Sequence, residues 1–266
     1  MPKGLGTNMT TYRRWLRAAL LALIGFCNAT PVVSAAEVLV LSTTSTKEAL
    51  TELAPMFERL SGHSVRLEFV GGTAMAERIR TNATGDVLVG PEELSDTLLR
   101  EGRLVAGSRV NFARSVVAVA VRAGAEKPDV SSPEAFKRTM SAARSFSYSK
   151  GVSGQQFVEL MTRLGFADAV KQKSVLPKAG EVVGEVVARG AAELGVQQLS
   201  ELLPVPGIDI AGLVPSELQP DILYGASIVA GSKSAEAAKA LAEFLRSPEA
   251  IVVLKKHGFK EMSPGP

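Results

Sequence analysis

Cysteine and histidine are almost absent from this 266-residue chain, which contains one cysteine and two histidines. The cysteine, Cys27, lies in an N-terminal segment with the pattern of a leader. The rest of the chain therefore has no disulfide, no thiol nucleophile and no thiolate metal site. With only His63 and His257 to supply imidazole groups, a histidine-rich metal site or a Ser-His-Asp triad is not expected. We expect no metal and no cofactor.

A long apolar run is also missing, and the apolar segment that exists has the pattern of a secretory signal peptide. Arg13, Arg14 and Arg17 precede an apolar run at residues 18–29, and a series of small residues ends at Ala36. The run is too short to remain as a membrane span. The pattern predicts a signal peptide over residues 1–36, cleaved near Ala36, and a periplasmic location for the mature protein.

Basic charge is scarce once this leader is removed. The whole chain has a formal net charge of +3, and residues 1–36 hold four basic residues and no acidic one, so the mature chain is near −1. A nucleic-acid-binding protein needs a concentrated basic patch. We therefore expect no nucleic-acid partner. The chain also lacks a phosphate loop of the Gly-Lys-Ser type and a dinucleotide-binding fingerprint.

What the chain does contain is a repeated order of strand, polar turn and helix. An apolar run at residues 38–41 predicts a buried strand, and five hydroxyl residues, 42–46, separate it from apolar side chains at helical spacing. The same order recurs at residues 65–80, around Gly71-Gly72-Thr73, and at residues 145–164, around Gly151 to Gly154. Such alternation favours a mostly parallel α/β sheet, in which ligands lie at the carboxyl ends of strands.

Each polar turn has two interpretations. The free N–H groups and the positive dipole end at the start of a helix favour an anion held by neutral hydrogen bonds. Ordinary capping is the alternative, since Ser45 and Glu48 have the spacing of a capping box. Capping is the commoner role of any single turn, whereas three such turns in one chain favour a shared site.

The remaining segments predict further strands and helices. Residues 116–121 form a nearly continuous apolar strand, and residues 175–176 predict a short one. Residues 204–220 are rich in proline and glycine and predict a linking loop. A strand at 222–230 and an amphipathic helix at 235–246 follow.

With this order of segments the chain resembles the molybdate-binding protein family, the periplasmic receptors of oxyanion importers. The resemblance covers nearly all of residues 37–262. It rests on five segments: Thr43-Thr44-Ser45-Thr46, Gly71-Gly72-Thr73-Ala74, Asp86-Val87-Leu88-Val89, Val152-Ser153-Gly154 and Phe244-Leu245-Arg246-Ser247-Pro248-Glu249-Ala250.

The resemblance implies an α/β fold of the type II periplasmic binding proteins, with two lobes joined by two crossing hinge strands that close on a ligand. Lobe one would comprise residues 37–115 and 222–262, and lobe two residues 116–221. The hinge strands would lie near residues 116–121 and 222–228.

The resemblance also implies which residues hold the ligand. In that family, hydroxyl and backbone N–H groups from the loops hold a tetrahedral oxyanion. The candidate ligand-binding residues here are Ser45, Thr73, Ser153, Val182 and Gln198, with Thr44 and Arg114 in addition. Gln198 stands where the family usually has a tyrosine, so an amide that both donates and accepts replaces a phenol. This departure leaves the identity of the anion open.

The first functional hypothesis is a solute receptor. It would bind a small anion, a molybdate-like oxyanion or an organic carboxylate, and deliver it to the membrane permease of an ABC-type importer. We expect such a receptor to be a monomer. A scaffold without a ligand is the third and weakest hypothesis, because repeated glycine and hydroxyl turns at strand ends then have no use.

Aconitate isomerase, a periplasmic enzyme of the same receptor-like family, is the alternative. The segments Ala106 to Arg109, Ala113 to Ser115 and Gly195 to Leu202 resemble that branch. Moving a carbon–carbon double bond in an unsaturated tricarboxylate requires a base and an acid. Lys150 and Glu181 are the candidates, although a solvated loop lysine and a carboxylate in a first helical turn are the ordinary interpretations.

Several carboxylates on one substrate would also call for cationic anchors. The basic residues available near the predicted turns and lobe boundary are Arg78, Arg109, Arg114, Lys150 and Lys178.

Overall fold

The computed structural model describes residues 35–81, 85–178 and 180–262. Nearly all of the predicted signal peptide, residues 1–34, lies outside them. Among the described residues, no helix combines the length and the apolar character needed to cross a membrane.

The described residues form ten strands and ten α-helices. The strands are β1 (Glu37–Ser42), β2 (Ser64–Phe69), β3 (Val87–Pro91), β4 (Val110–Ser115), β5 (Val117–Arg122), β6 (Phe146–Tyr148), β7 (Leu194–Gln198), β8 (Ile208–Leu213), β9 (Ile222–Ile228) and β10 (Phe259–Glu261). The helices are α1 (Lys47–Ser61), α2 (Gly72–Arg80), α3 (Glu92–Arg100), α4 (Pro133–Ala142), α5 (Val152–Arg163), α6 (Ala167–Lys173), α7 (Val183–Ala188), α8 (Leu199–Leu202), α9 (Ala235–Phe244) and α10 (Pro248–Lys256).

The strands build two sheets. The first has six strands in the order β10-β4-β9-β3-β1-β2, and β1 runs parallel to both β2 and β3. The second has four strands in the order β6-β7-β5-β8, and β6 runs parallel to β7. The carboxyl ends of the parallel strands therefore lie together at one edge of each sheet.

The chain passes between the two sheets twice. It leaves the six-stranded sheet at Ser115, enters the four-stranded sheet at Val117, and returns between Leu213 and Ile222. The strands of the six-stranded sheet thus fall within residues 37–115 and 222–262, and those of the four-stranded sheet within residues 116–221. We propose these ranges as the two moving units.

Apolar burial explains why the first βα unit forms. Residues 38–41 of β1 are almost fully buried, as a central strand requires. In α1 the residues Ala49, Leu50, Leu53 and Phe57 are buried at helical spacing and join the main hydrophobic core. Fully burying a side chain such as Phe57 contributes roughly 1.5–3 kcal/mol.

Two of the predicted local structures are wrong. Residues 204–220 are not only a loop, because residues 208–213 form β8 and pair with β5. Their prolines flank the strand, and Ile208 and Ile210 pack on the small cluster under α8. The predicted strand at 175–176 is replaced by a single bridge from Phe146 to Ser174, and α6 precedes it. Residues 110–115, left unassigned by the sequence pattern, form β4.

Candidate functional site

A cleft of about 410 Å³ lies where loops from both sheets meet. Its walls come from the segments that follow β1, β2 and β3 in the six-stranded sheet and β6 and β7 in the four-stranded sheet. The lining residues are Thr43, Thr44, Ser45, Gly71, Gly72, Thr73, Ala76, Pro91, Glu93, Leu94, Ser149, Gly151, Val152, Ser153, Gln155, Gln198, Glu201 and Tyr224. Five strand ends therefore supply the loops around one cavity.

The turn after β1 presents Ser45 to this cleft. A short 3-10 helix, Thr44–Thr46, joins the strand to α1. Ser45 is only 4% exposed, and its Oγ lies 2.6 Å from the Tyr224 hydroxyl and 3.1 Å from Thr43 Oγ1. The predicted capping box is wrong, because Thr46 occupies the N-cap position of α1 and no side chain caps it. The Ser45 hydroxyl belongs to the cleft instead.

The other two glycine and hydroxyl turns line the same cleft. In the turn before α2, Met75 N–H donates to the Gly71 carbonyl, so the N–H groups of the first helical turn, including that of Thr73, have no acceptor within the helix. In the turn before α5, Gln155 N–H donates to Gly151 in the same way. Ser153 Oγ lies 3.3 Å from Ser149 Oγ.

A close backbone approach fixes the shape of the α5 turn. A Cβ at Gly154 would lie 1.6 Å from the carbonyl oxygen of Ser149. No side chain fits at that distance, so glycine is required for the loop to fold back on the start of α5.

Gln198, at the end of β7, points a donor towards the cleft. Its Oε1 accepts hydrogen bonds from Ser115 Oγ at 2.7 Å and from the Tyr224 hydroxyl at 2.9 Å. An amide oxygen has two lone pairs, and both are occupied. Nε2 therefore faces the opposite way, towards Glu201 Oε2 at 3.5 Å. The amide thus offers N–H donors where the resemblance leads us to expect a phenol.

Tyr224 brings a phenol to the site from β9 in the other sheet. The residue is fully buried, and burial raises the pKa of Tyr224 to about 12. Its hydroxyl therefore remains protonated and donates to Gln198. Sequence reasoning missed Tyr224, because nothing in an apolar strand marks one aromatic residue as facing a cleft.

Glu201 places a carboxyl group in the cleft from helix α8. Thr44 Oγ1 donates to Glu201 Oε1 over 3.0 Å. Because Thr44 follows β1 and Glu201 follows β7, this hydrogen bond crosses the cleft from one sheet to the other. Burial raises the pKa of the Glu201 carboxyl, and hydrogen bonds from Thr44 and Gln197 oppose that rise. Glu201 was not a sequence candidate, although it lies in the segment Gly195 to Leu202 that resembles the aconitate isomerase branch.

Glu181 and Val182 lie away from the cleft-lining set. Glu181 accepts hydrogen bonds from Arg189 Nε at 2.8 Å and from the Lys178 backbone N–H at 3.0 Å. The Arg189 hydrogen bond is the main reason that the pKa of Glu181 is lowered. The Val182 N–H is also taken, since it donates to Glu185 Oε2 at 3.0 Å. Neither residue is free to meet a ligand in this arrangement.

The predicted cationic residues also lie outside the lining set. Arg114 donates to Asp221 at 3.1 Å and to the Glu261 carbonyl at 3.0 Å. Lys150 is exposed, between the lining residues Ser149 and Gly151, whereas its predicted role as a base required burial.

The remaining three cationic candidates are similarly placed. Arg78 pairs with Glu68, and Arg109 pairs with Glu92 and Asp96. Lys178 is exposed. The described residues that line the cleft accordingly include two carboxyl groups, those of Glu93 and Glu201, and no lysine or arginine.

The part of the chain that the structure describes contains no set of side chains suited to binding a metal ion. There, no group of three histidine, cysteine, aspartate or glutamate side chains is close enough to hold a metal ion.

Comparison with known proteins matches this chain to one family. A family model described as bacterial extracellular solute-binding protein matches residues 38–260. Aconitate isomerase from a Pseudomonas species is 37% identical over 262 residues, covering 94% of this chain and 97% of the relative. Molybdate-binding protein ModA from Azotobacter vinelandii is 29% identical over 232 residues, covering 85% of this chain and 90% of the relative.

The solved structures match as well. The periplasmic molybdate-binding protein of Azotobacter vinelandii superimposes with a TM-score of 0.68 at 22% identity, covering 86% of this chain and 100% of that chain. This likeness confirms the predicted type II fold of the periplasmic binding proteins. Since the family model matches residues 38–260 and a relative 37% identical covers 94% of this chain, the chain belongs to the bacterial extracellular solute-binding protein family.

Proposed function

We propose that this protein binds a small organic polycarboxylate in the cleft between its two sheets and shifts a carbon–carbon double bond in it, as an aconitate isomerase of the periplasm. The observation that carries the proposal is the combination, in one cleft, of neutral anion donors with a proton-exchanging group. Thr73 and Gln198 belong to the first class, and the Glu201 carboxyl belongs to the second.

The size of the cleft favours an organic anion over a bare oxyanion. Its volume is about 410 Å³, and pockets for small organic molecules have volumes of roughly 300–1,000 Å³. A tetrahedral oxyanion would touch only some of the donors, which are distributed over five loops. An extended molecule with several carboxylates can reach donors on both sheets at once.

The donors are suited to carboxylates although none of them is cationic. Hydroxyl groups and the first residues of α2 and α5 line the cavity, and helix starts favour negative charge. Hydrogen bonds to a charged group are each worth roughly 1.5–3 kcal/mol. The relative that is 37% identical over nearly its whole length is an aconitate isomerase, which supports a carboxylate as the ligand.

A second candidate function is the passive receptor. It is favoured by the lining of the cleft, which in the described residues offers hydroxyl and N–H groups to an anion and has no lysine or arginine. The protein would then carry a molybdate-like oxyanion or a carboxylate to the permease of an ABC-type importer. The proposals of export and of a monomeric state apply to both functions.

One experiment separates the two functions. Purified mature protein is titrated calorimetrically with molybdate, tungstate, sulfate and trans-aconitate, and trans-aconitate is also followed by ultraviolet absorbance. We expect conversion of trans-aconitate to the cis isomer and weak or no binding of the inorganic ions. Tight molybdate binding without turnover would reject the isomerase and support the receptor.

A further inference from the structure

We propose that the carboxyl group of Glu201 carries the proton in this reaction, taking it from one carbon of the substrate and returning it to another, while Thr44 and Gln198 hold the carboxyl in place. The inference rests on the proposed isomerase function and assigns the group that performs its chemistry.

The chemistry of the lining leaves few candidates for this task. Besides glycines and apolar groups, the described lining consists of hydroxyls, two amides, one phenol and two carboxyls. Serine and threonine hydroxyls and amides do not exchange protons with carbon near neutral pH without a base. The Tyr224 phenol is buried and already donates to Gln198. The carboxyls of Glu93 and Glu201 remain.

Position separates the two carboxyl groups. Glu93 is exposed in the first turn of α3, where water surrounds it. Glu201 is half-buried, and each of its oxygens faces a donor, Thr44 Oγ1 at 3.0 Å and Gln198 Nε2 at 3.5 Å. A group fixed by partners on two loops meets a substrate in a defined geometry, which proton transfer requires.

The support of Gln198 extends into the protein interior. Ser115 and Tyr224 both donate to its Oε1, so the amide cannot rotate without breaking two buried hydrogen bonds. Its Nε2 is thereby held towards Glu201. These residues act through Gln198 and are positioning residues.

The electrostatic surroundings suit a group that must both accept and donate a proton. Burial favours the neutral carboxyl, and hydrogen bonds from Thr44 and Gln197 favour the carboxylate. Glu93 and Tyr224 are the other titratable groups in the described lining. Burial is the larger of these effects, so the pKa of the Glu201 carboxyl is raised above its ordinary value.

The step balances without an oxidant, a reductant or water. The Glu201 carboxylate takes a proton from the CH₂ carbon next to the double bond, and that C–H bond breaks. Its electron pair spreads over three carbons and the attached carboxylates. The proton, now on Glu201, forms a new C–H bond at the far carbon of the former double bond, which leaves the double bond shifted and Glu201 ionised again.

The test compares Glu201→Gln with the wild-type protein and with Glu159→Gln, an exposed glutamate on α5. Turnover of trans-aconitate is followed by absorbance, its binding by calorimetry, and folding by the melting temperature. We expect kcat of Glu201→Gln to fall about 10²–10⁴-fold, the usual effect of an acid–base group, with trans-aconitate still bound. Glu159→Gln should match the wild type in both measurements.

The possible outcomes are distinct. If the wild type does not turn over trans-aconitate, the proposed function fails. If the wild type turns it over and Glu201→Gln retains a kcat within threefold, the assignment of Glu201 fails while the function stands. Loss of turnover in Glu93→Gln but not in Glu201→Gln would also overturn it.

A variant of the positioning residue Thr44 tests the assignment through the pH dependence of kcat, which a purely structural role of Thr44 would leave unchanged. Thr44→Val removes the donor to Glu201, which raises the pKa of that carboxyl and should shift the acidic limb of the kcat profile to higher pH. An unshifted limb in an active Thr44→Val protein would contradict the assignment.

Discussion

The Tyr224 hydroxyl lies 2.9 Å from the amide oxygen of Gln198, and this buried contact joins a strand of the six-stranded sheet to the end of a strand in the four-stranded sheet. The same hydroxyl lies 2.6 Å from Ser45 Oγ. The Tyr224 phenol therefore links two residues that line the cleft, Ser45 in the turn after β1 and Gln198 at the end of β7.

Tyr224→Phe should accordingly affect both stability and ligand binding. The change leaves the Gln198 oxygen with one donor fewer in a buried site, so we expect the free energy of unfolding to fall by about 1–3 kcal/mol. Ligand affinity should fall as well, because the amide loses one of the two hydrogen bonds that fix its orientation. Urea unfolding and calorimetry measure the two effects.

The matched control is Tyr148→Phe. Tyr148 packs against Phe157, and no residue in the described ranges forms a hydrogen bond with its hydroxyl. Its removal should cost less stability than removal of the Tyr224 hydroxyl. Equal losses in the two variants would show that the phenol of Tyr224 has no special part in the network.

The cleft hydroxyls can be tested with the double variant Ser45→Ala, Thr73→Ala. The Thr73 change removes a hydrogen bond to the charged ligand, worth roughly 1.5–3 kcal/mol, and the Ser45 change removes the hydroxyl that bonds to Tyr224, so the double variant should bind its anion at least tenfold more weakly by calorimetry. Thr51→Ala removes an exposed hydroxyl that bonds to the Lys47 carbonyl in α1 and serves as the control. Unchanged affinity in the double variant would mean that both hydroxyls have only local roles.

The turn before α5 leads to a prediction about folding. In Gly154→Ala the new methyl group would meet the Ser149 carbonyl oxygen at 1.6 Å. The loop or the start of α5 must move, so we expect a loss of about 3 kcal/mol, the upper range for overpacking. Gly71→Ala is the comparison for stability, because its φ is −63° and no atom lies within 4 Å of the added Cβ. Similar melting temperatures for the two variants would contradict this reading of the turn.

The candidate site shows which kinds of feature a sequence can predict. Ser45, Thr73 and Ser153 were found because each lies in a turn whose glycines and hydroxyls mark a strand end, and parallel strands bring such ends together. That signal is local. That these three residues line one cavity follows from the α/β order of the chain and needs no knowledge of side-chain packing.

Glu201 and Tyr224 illustrate what the sequence did not reveal. Tyr224 reaches the cleft because β9 pairs antiparallel with β3 and β4, and that pairing depends on residues more than 100 positions apart. Glu201 reaches it because α8 starts directly after Gln198 and faces the β1 turn across the cleft. Val182 does not line the cleft, and its N–H donates to Glu185 in the first turn of α7. The spacing of residues in the sequence does not predict this hydrogen bond.

Glu201 also leads to a prediction about stability and pH. Its folded-state pKa is raised above the ordinary value of 4.5, so the folded protein binds more protons at this group than the unfolded chain does. The contribution of this group is therefore largest below pH 4.5 and is lost as the pH rises through the folded-state pKa. Glu201→Gln cannot ionise and avoids that loss.

The free energy of unfolding of Glu201→Gln, relative to the wild type, should consequently increase from pH 4 to pH 8. Urea unfolding at a series of pH values measures the difference, and Glu159→Gln, whose parent side chain is exposed on α5, should show a flat difference. We expect Glu201→Gln to gain stability while it loses turnover, because catalytic groups are often retained at a cost in stability. If the Glu201→Gln difference is instead constant with pH, the carboxyl is not held in the low-polarity surroundings that its proton-transfer role requires.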